Sequence, residues 1–364
     1  MRSASPQRQR GAGKIVTGQR CLSLFLCMVV CLFSGCGKAP VVQQESFVFG
    51  TRVEVLVAEP DEARARVGIK AVLREFDRLH RAYHAWQPSE LTALNAVIAA
   101  GKPAEVSPEL AQLIRDAQGL AAAGEYLFDP GIGRLVKLWG FHADEFRAAL
   151  PDPTALAEWR RAQPSIADLV VDGNRVASRK PGPSQLALDF GGYLKGVALD
   201  RAAATLRAQG INNALINIGG NLMALGSKHG EPWRVGIQHP RQPGPLATLE
   251  LRDGEAIGTS GDYQRYFELG GKRYCHLLDP RSAAPVTHTQ AITVLITPRP
   301  DAGMLSDAAS KPPFIAGPGD WRRLTRQLGV EHALRVDADG RVQASRALAA
   351  RIKPEGATTL EIVD

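Results

Sequence analysis

Hydrophobic and polar residues follow two different periods along this chain. From residue 47 to 58 they alternate one by one, which predicts a half-buried strand with Gly50 as a bend. From residue 61 to 84 the apolar residues recur every three or four positions, which predicts an amphipathic helix. The pair Ser107-Pro108 is typical of a capped helix start and predicts another helix to about Ala123. The pattern therefore mixes strands and helices.

The stretch between residues 186 and 226 contains a strand, a helix and a second strand in direct succession. Each apolar run ends at a glycine pair, and good helix formers fill the space between the runs. A glycine after the helix stands where a left-handed cap belongs. The parts are, in order, the run 186–188 with Asp189, Gly191-Gly192, the helix 193–209, Gly210, the run 214–218 and Gly219-Gly220. The sequence therefore predicts a strand, helix, strand unit with a glycine turn at each strand exit.

Turn residues divide the remaining chain into hairpins. Hairpins are predicted about Asp172-Gly173, Gly270-Gly271 and Asp339-Gly340. Residues 291–297 form an apolar run typical of a buried strand, and residues 304–311 predict a helix that ends at Pro312-Pro313. No repeat and no internal linker interrupts this pattern. We therefore expect one domain over residues 47–364.

The N-terminal residues have the pattern of an export signal. A basic segment without acidic residues precedes an apolar run of about a dozen residues, shorter than the roughly 20 that a bilayer requires. Residues 1–35 are therefore interpreted as a secretory leader. Its five basic residues account for most of the net charge, because their removal lowers +7 to about +2. No nucleic-acid partner is expected of so small a charge.

The leader ends in Leu32-Phe33-Ser34-Gly35-Cys36, which resembles the cleavage box of bacterial lipoproteins. This predicts a lipid anchor at Cys36, a polar tether over residues 36–46, and a domain that faces the periplasm from a membrane of the cell envelope. Only Cys275 of the five cysteines lies outside the leader and its end. No internal disulfide is expected, and the 45% hydrophobic content must supply the core.

The first glycine pair of the central unit is suited to an anion. A glycine turn that opens into a helix offers free backbone N–H groups and the positive end of the helix dipole, and Lys195 adds a cation there. A phosphate or diphosphate is the expected ligand. Asp189 would accept a hydrogen bond from a donor of that ligand or assist a metal. The alternative is that the glycines only permit turns and that Lys195 is solvated.

Other candidate residues are weaker when they are taken singly. His276 is suited to general acid–base catalysis or to phosphate binding, although a strand histidine is more often structural. Asp307 is suited to a hard cation such as Mg²⁺. His80 and His84 lie one turn apart but lack the glutamate of an H-E-x-x-H motif, which favours a polar helix face. No G-x-S-x-G, Walker or Rossmann pattern occurs.

Taken together, six motifs in order resemble those of the ApbE-type FAD:protein FMN transferases. They extend through nearly all of the chain after the leader, and the fourth is followed by N-I-G-G-N at 217–221. The motifs are F-G-T at 49–51, W-Q-P-S-E-L-T-A-L-N at 86–95, the segment 129–141 ending in L-W-G-F, D-F-G-G-Y-L-K-G-V-A-L-D at 189–200, T-S-G-D-Y at 259–263 and H-L-L-D-P-R-S at 276–282.

The resemblance implies a fold, a reaction and partners. The fold would be α+β, a single T-fold-related domain with a mixed, largely antiparallel sheet and packed helices. FAD would be the substrate, with Mg²⁺ beside its diphosphate, and FMN would pass to a Thr or Ser of an acceptor flavoprotein while AMP leaves. The acceptors would be periplasmic or membrane redox proteins.

The resemblance also implies roles for individual residues. His276 and Asp307 would be catalytic, His276 would also contact FAD, and Asp189 and Lys195 would hold polar groups of FAD. The flavin and adenine would be lined by Trp86, Trp139, Gly140 and Phe141, with Phe49 and Leu278 nearby. The metal would lie among the Gly192 carbonyl, Asp307, Ser310 and position 311.

The sequence departs from the family at position 311. The family's helix reads A-D-A-L-S-T-A-L and places a metal-binding threonine four residues after the aspartate, whereas Lys311 stands there in this chain and two prolines follow. An ammonium at this position would repel Mg²⁺ or replace it. Two alternatives to the transferase therefore stay open: a non-catalytic FAD-binding carrier or maturation protein, and an FAD pyrophosphatase.

Overall fold

The computed structural model describes residues 41–143, 145, 147–180 and 182–364. The predicted leader and Cys36 lie outside the described residues. The described residues all belong to one unit. None of the helices in this part of the chain has both the length and the hydropathy of a membrane-spanning segment.

The strands are numbered here in chain order. They are β1 (Val42–Val48), β2 (Thr51–Val57), β3 (Ala104–Glu105), β4 (Leu169–Asp172), β5 (Arg175–Ser178), β6 (Ala214–Ile218), β7 (Asn221–Leu225), β8 (Trp233–Gln238), β9 (Pro245–Leu251), β10 (Ala256–Gly261), β11 (Tyr266–Leu269), β12 (Lys272–Cys275), β13 (Leu278–Asp279), β14 (Ala284–Pro285), β15 (Thr289–Ile296), β16 (His332–Asp337), β17 (Val342–Ser345), β18 (Ile352–Pro354) and β19 (Leu360–Val363).

The α-helices are numbered in the same way. They are α1 (Glu62–Tyr83), α2 (Glu90–Ala99), α3 (Pro108–Ala123), α4 (Gly133–Leu138), α5 (Pro153–Ala162), α6 (Leu194–Ala208), α7 (Ala302–Ala308), α8 (Lys311–Ala316), α9 (Trp321–Gln327) and α10 (Arg346–Ala349).

A nine-stranded sheet is the central element, with the strand order β1-β2-β6-β7-β10-β15-β16-β17-β19. Its neighbours are antiparallel except for the parallel pair β17 and β19. All eight residues of β15 are buried, because both faces of the sheet are covered. The α+β, largely antiparallel fold that the resemblance implied is therefore confirmed.

Different elements pack against the two faces of the sheet. Alternate residues such as Ile216 and Val294 pack with the apolar side of α1, which includes Phe76, and with α6. Their neighbours Leu215 and Leu295 pack with the smaller sheet of β8, β9 and β18. This alternation follows from the twofold period of side chains along a strand.

The predicted helix over residues 61–84 is confirmed as α1. The Asp61 side chain accepts a hydrogen bond from the Arg64 N–H at 3.0 Å and caps the first turn. Helix α3 begins in the same way, because the Ser107 hydroxyl accepts from the Leu110 N–H at 3.1 Å and Pro108 follows the cap.

The N-terminal boundary needs a correction. Residues 47–58 are not one bent strand but parts of the hairpin β1–β2, and its turn Phe49-Gly50 has φ values of 57° and 68°. Strand β1 begins at Val42, so the end of the predicted tether is folded and the domain starts before residue 47. The sequence is misleading here because β1 is an edge strand whose five middle residues are exposed.

The central unit also differs in part from the prediction. Helix α6, strand β6 and the left-handed Gly210 (φ 71°) are confirmed. Residues 186–188, however, form no strand, and Ala187 makes a single bridge to Ile132. The pair Gly219-Gly220 is the turn of the hairpin β6–β7, so only Gly191-Gly192 opens into a helix.

The segment around Pro312-Pro313 is a helix start and not a helix end. The predicted helix over residues 304–311 is present as α7, which ends at Ala308. Lys311, Pro312 and Pro313 then form the first turn of α8. Proline is tolerated in a first turn because its missing N–H would have no partner within the helix there.

Candidate functional site

The site lies where the first turn of α6 meets α7. The two helices approach each other at Gly196 and Gly303: a Cβ on Gly196 would lie 2.3 Å from the Gly303 oxygen, and one on Gly303 would lie 2.5 Å from the Gly196 oxygen. Such distances exclude any side chain at either position. The close approach brings Asp307 of α7 against the start of α6.

Asp200 fixes the start of α7 from the neighbouring helix. Its two carboxylate oxygens accept hydrogen bonds from the Gly303 and Met304 N–H groups at 2.7 and 2.8 Å. Burial raises the pKa of Asp200 to about 7, against the two backbone hydrogen bonds, which lower it. Asp200 is therefore a positioning residue for α7, a role that the sequence did not predict although it ends the fourth motif.

Asp307 has its carboxylate oxygens occupied. Its Oδ2 accepts from the Gly196 N–H at 3.1 Å, its Oδ1 accepts from Lys311 Nζ at 2.8 Å, and Lys195 Nζ lies 3.8 Å from Oδ1. Burial by itself would raise the pKa of Asp307, but the charges of Lys195 and Lys311 hold it below its usual value. The buried carboxylate is therefore ionised and paired.

Lys311 and Ser310 both donate hydrogen bonds to the main-chain oxygen of Asp307. Lys311 Nζ donates to the Asp307 carbonyl at 2.6 Å, and the Ser310 hydroxyl donates to it at 2.8 Å. The Ser310 hydroxyl also lies 2.7 Å from that of Ser260. The side chain of Lys311 runs beside Gly192, where a Cβ would lie 3.3 Å from Lys311 Cε. The four residues predicted as metal site, Gly192, Asp307, Ser310 and Lys311, thus do lie together.

The donor set at this place does not fit Mg²⁺. Magnesium requires oxygen ligands at about 2.0–2.1 Å in octahedral arrangement. Here the Asp307 oxygens already accept hydrogen bonds, and two ammonium groups lie within 4 Å of Oδ1. Within the described ranges, no group of three or more His, Cys, Asp or Glu residues is arranged to hold a metal. We therefore derive no step of the reaction through a metal.

The glycine turn before α6 is contacted by Asp189 and Lys195, the two residues predicted to bind an anion there. Asp189 Oδ1 accepts from the Gly191 N–H at 2.8 Å, and Lys195 Nζ donates to the Gly191 oxygen at 3.4 Å. Burial raises the pKa of Asp189, while the Gly191 N–H and the charges of Arg265 and Lys195 lower it. Asp189 and Lys195 are thus brought together around one turn.

Asn95 holds the extended segment that leads to Asp189. Its side chain donates to the Leu188 oxygen at 2.9 Å and accepts from the Leu188 N–H at 2.7 Å. These bonds replace the strand pairing that we expected for residues 186–188. Asn95 is the last residue of the second motif, but its spacing from Leu188 gave no signal of this contact.

His276 is fixed in one tautomer by Arg265. The Arg265 carbonyl lies 3.1 Å from His276 Nδ1 and also accepts the His276 backbone N–H at 3.0 Å. Because a carbonyl oxygen only accepts, Nδ1 carries the hydrogen and Nε2 holds a lone pair. Burial, together with the charges of Arg265 and Lys195, lowers the pKa of His276 to about 3. His276 is therefore a neutral base at pH 7.

Arg265 also contacts His276, although no pattern in the sequence predicts this residue as part of the site. Its guanidinium donates to the carbonyl oxygens of Phe141 and Ala143 at 2.9 and 3.2 Å. It thus ties the loop after the third motif to His276. In the sequence, Arg265 is distinguished only by its position two residues after T-S-G-D-Y. That position does not by itself indicate a contact with His276.

The predicted aromatic residues fall into two groups. Trp139 and Phe141 are buried together with Leu278. The Trp139 Nε1 donates to the Ala283 oxygen at 2.9 Å, and Phe141 stacks on Phe267 at 5.8 Å between ring centroids. The rings therefore pack on neighbouring side chains, and they support the turn at Gly140 (φ 80°).

The second group is more accessible. Trp86 is partly exposed and its ring centroid lies 5.6 Å from that of His142. Phe49 lies at the β1–β2 turn, 5.7 Å from the ring of His80. The rings of His80 and His84 lie edge to face at 4.9 Å between centroids, so the helix face that the sequence favoured as polar also makes aromatic contacts. Contact of these aromatic residues with FAD stays a prediction.

Two surface cavities lie outside the cluster of charged groups, although Asp200 borders one of them. One of ≈ 710 Å³ lies beside the turn at Gly340 and the segment 355–361, and one of ≈ 440 Å³ lies beside Glu109 and Asp200. Neither cavity is lined by His276 or Asp307. Cavity size therefore does not locate the site, whereas the cluster of charged groups does.

Solved structures share this architecture. The apo form of the flavinyl transferase ApbE from Pseudomonas stutzeri superposes with a TM-score of 0.74 and 26% identity, over 87% of this chain and 98% of that one. The ApbE protein of Thermotoga maritima gives a TM-score of 0.75 and 27% identity, over 86% and 99%. The fold is thus shared with solved proteins named ApbE, one of which is a flavinyl transferase.

The sequence comparison narrows the class to one family. The ApbE family matches residues 49–334. The FAD:protein FMN transferase of Rhodobacter capsulatus is 42% identical over 315 residues, which are 86% of this chain and 59% of that protein. The one of Treponema pallidum is 31% identical over 352 residues, 90% and 94% of the two chains. This chain belongs to the ApbE family.

Proposed function

We propose that this protein is an FAD:protein FMN transferase, which moves FMN from FAD to a Thr or Ser hydroxyl of an acceptor protein and releases AMP. The names of the family relatives support the reaction. The observation that carries the proposal for this chain is the neutral His276 beside a cluster of cations. His276 lies close enough to Arg265, Lys195 and Lys311 for their charges to lower its pKa.

The reaction follows from these groups. The FAD diphosphate binds at the glycine turn before α6, where the helix dipole and Lys195 attract it. Nε2 of His276 takes the proton of the acceptor hydroxyl, and the oxygen attacks the phosphorus on the riboflavin side. The bond from that phosphorus to the AMP phosphate breaks, and AMP leaves with the electron pair. Positioning and electrostatic stabilisation supply the catalysis.

Substrate binding itself makes His276 a better base. In the free protein, burial and in addition the neighbouring cations disfavour its protonation. The negative diphosphate offsets those cations, so the pKa of His276 rises when FAD binds. A base whose pKa approaches the working pH accepts a proton more effectively in the transition state.

The test is the mass of an acceptor incubated with this protein and FAD. We expect an acceptor known to be modified by one of the named relatives to gain the mass of one FMN residue while AMP appears. The His276→Asn variant keeps a side-chain N–H for the Arg265 carbonyl. It should transfer FMN at least about 100-fold more slowly while its FAD affinity changes by less than about threefold.

The same measurement separates the alternatives. Release of AMP and FMN with an unmodified acceptor would identify an FAD pyrophosphatase. Retention of FAD without either product would identify a carrier or maturation protein. Either result would contradict the transferase proposal.

We further propose that the protein is anchored by lipid at Cys36 and faces the periplasm, where its acceptors are periplasmic or membrane redox flavoproteins. The basic, apolar leader and its L-F-S-G-C end support this localisation. Metabolic labelling with palmitate should mark the wild-type chain in the membrane fraction. Label on the Cys36→Ala variant would refute the anchor.

A further inference from the structure

We propose that Lys311 replaces a divalent cation at Asp307, so that this chain holds the FAD diphosphate without a metal. This inference rests on the proposed function, because it assumes that FAD binds at the start of α6. It concerns the cation that faces the diphosphate and not the transfer step.

The first observation is the pair of hydrogen bonds that Lys311 makes. Its Nζ donates to Asp307 Oδ1 at 2.8 Å and to the Asp307 carbonyl at 2.6 Å, two oxygens of the type that binds Mg²⁺. In the part of the chain that the structure describes, Nζ donates to these two oxygens only. An ammonium has three N–H donors, so the third remains for an oxygen of a ligand.

The second observation is that Lys311 is built into the fold. Lysine is among the residues least often buried, yet only 9% of Lys311 is exposed. Its side chain lies over Gly192, where a Cβ would meet Phe128 at 2.8 Å and Lys311 Cε at 3.3 Å. Pro312 and Pro313 restrict the first turn of α8, in which Lys311 lies. A solvated lysine would need none of these features.

The third observation is the balance of charge. Asp307 supplies one negative charge, and Lys195 and Lys311 supply two positive charges next to it. Asp307 and its two lysines thus carry a net positive charge, which suits a diphosphate; burial lowers the pKa of Lys311, and the charge of Asp307 opposes that shift. A divalent cation added here would face two ammonium groups, and among the described residues no group of three or more His, Cys, Asp or Glu is arranged to hold it.

The test measures FAD binding to the full protein in EDTA and in Mg²⁺, by flavin fluorescence. Wild-type affinity should be the same within about twofold in both conditions. The Lys311→Met variant, which keeps the length of the side chain, should bind FAD about tenfold or more weakly in both. The Lys311→Thr variant should be equally weak in EDTA and should recover with Mg²⁺. An exposed lysine on β18 offers the control Lys353→Met, which should behave as wild type.

Three results would overturn the proposal. They are a wild-type affinity that rises about tenfold or more with Mg²⁺, a heat of Mg²⁺ binding to the wild type in calorimetry, or full affinity of Lys311→Met in EDTA. If Lys311→Met does not fold by circular dichroism, the two wild-type measurements still decide. An acceptor that stays unmodified while FAD binding follows the expected pattern would refute the transferase function and leave the role of Lys311 intact.

Discussion

His276 is an uncharged histidine among positive charges, and that setting determines its chemistry. The Arg265 carbonyl fixes the hydrogen on Nδ1, while burial and the charges of Arg265 and Lys195 lower the pKa to about 3. A histidine with an ordinary pKa near 6.5 would be partly protonated at neutral pH, and the protonated molecules could not accept a further proton. The fold therefore keeps Nε2 available.

The low pKa of His276 predicts a dependence of stability on pH. Between pH 3 and 6.5 the unfolded chain binds a proton at this residue and the folded chain does not. The free energy of unfolding therefore rises with pH in this window, and this contribution is lost as pH falls below 6.5. From pH 7.5 to 5, wild type should lose about 1–2 kcal/mol more than His276→Asn. Urea unfolding at both pH values measures this, and equal losses would contradict the assigned pKa.

At the scale of elements, the contact between α6 and α7 positions the charged groups. Gly196 and Gly303 allow the helix backbones to touch, and Asp200 satisfies the first N–H groups of α7. Asp307 then reaches the Gly196 N–H. A shift of α7 by the width of a methyl group would move Asp307 and separate it from Lys195.

The Gly196→Ala variant tests this contact. Its Cβ would lie 2.3 Å from the Gly303 oxygen, so we expect a loss of about 2–3 kcal/mol in the free energy of unfolding, with weaker FAD binding. Gly119→Ala is a matched control, because Gly119 lies exposed in α3 with nothing within 4 Å of a Cβ. It should gain about 0.5–1 kcal/mol from the lower entropy of its unfolded chain. Thermal unfolding of both variants distinguishes packing from helix propensity, and equal effects would refute the contact.

At the scale of the whole molecule, the nine-stranded sheet connects the N-terminal hairpin to the site. Strand β1 forms one edge and β19 the other, while β10 and β15 lie in the interior beside α7. Gly258 of β10 makes room for α7, since a Cβ there would lie 2.2 Å from the Ser306 oxygen. The sheet thus packs against α7, the helix that contains Asp307.

Truncation tests the corrected N-terminal boundary. A chain that begins at residue 41 keeps all of β1 and should unfold like the chain without its leader. A chain that begins at residue 47 loses five of the seven residues of β1 and uncovers the edge of β2. It should be less stable by at least about 2 kcal/mol and prone to association through that edge. Equal melting temperatures of the two truncated chains would show that β1 adds nothing.

The sequence by itself determined the elements whose signals are local. Asp61 and Ser107 cap their helices with N–H groups three residues away, and Gly270-Gly271 forms a two-residue hairpin turn. The resemblance that the motifs carry also implied that Asp189, Lys195, His276 and Asp307 belong to one site. Such signals need only neighbours in the chain, or a spacing that a family shares.

Only the tertiary structure decided how those residues meet. Asp307 bonds to a backbone N–H 111 positions away, and Asp200 caps a helix 103 positions away. The place of β1 in the sheet and the Arg265 contact to His276 depend in the same way on the closure of the fold. Lys311 depends on local sequence and on tertiary structure. The residue is read directly from the sequence. Its bond to Asp307 forms because Lys311 and two prolines begin a new helix and because Gly192 leaves room for the lysine side chain. Contacts of this kind depend on the packing of distant elements, which no local pattern encodes.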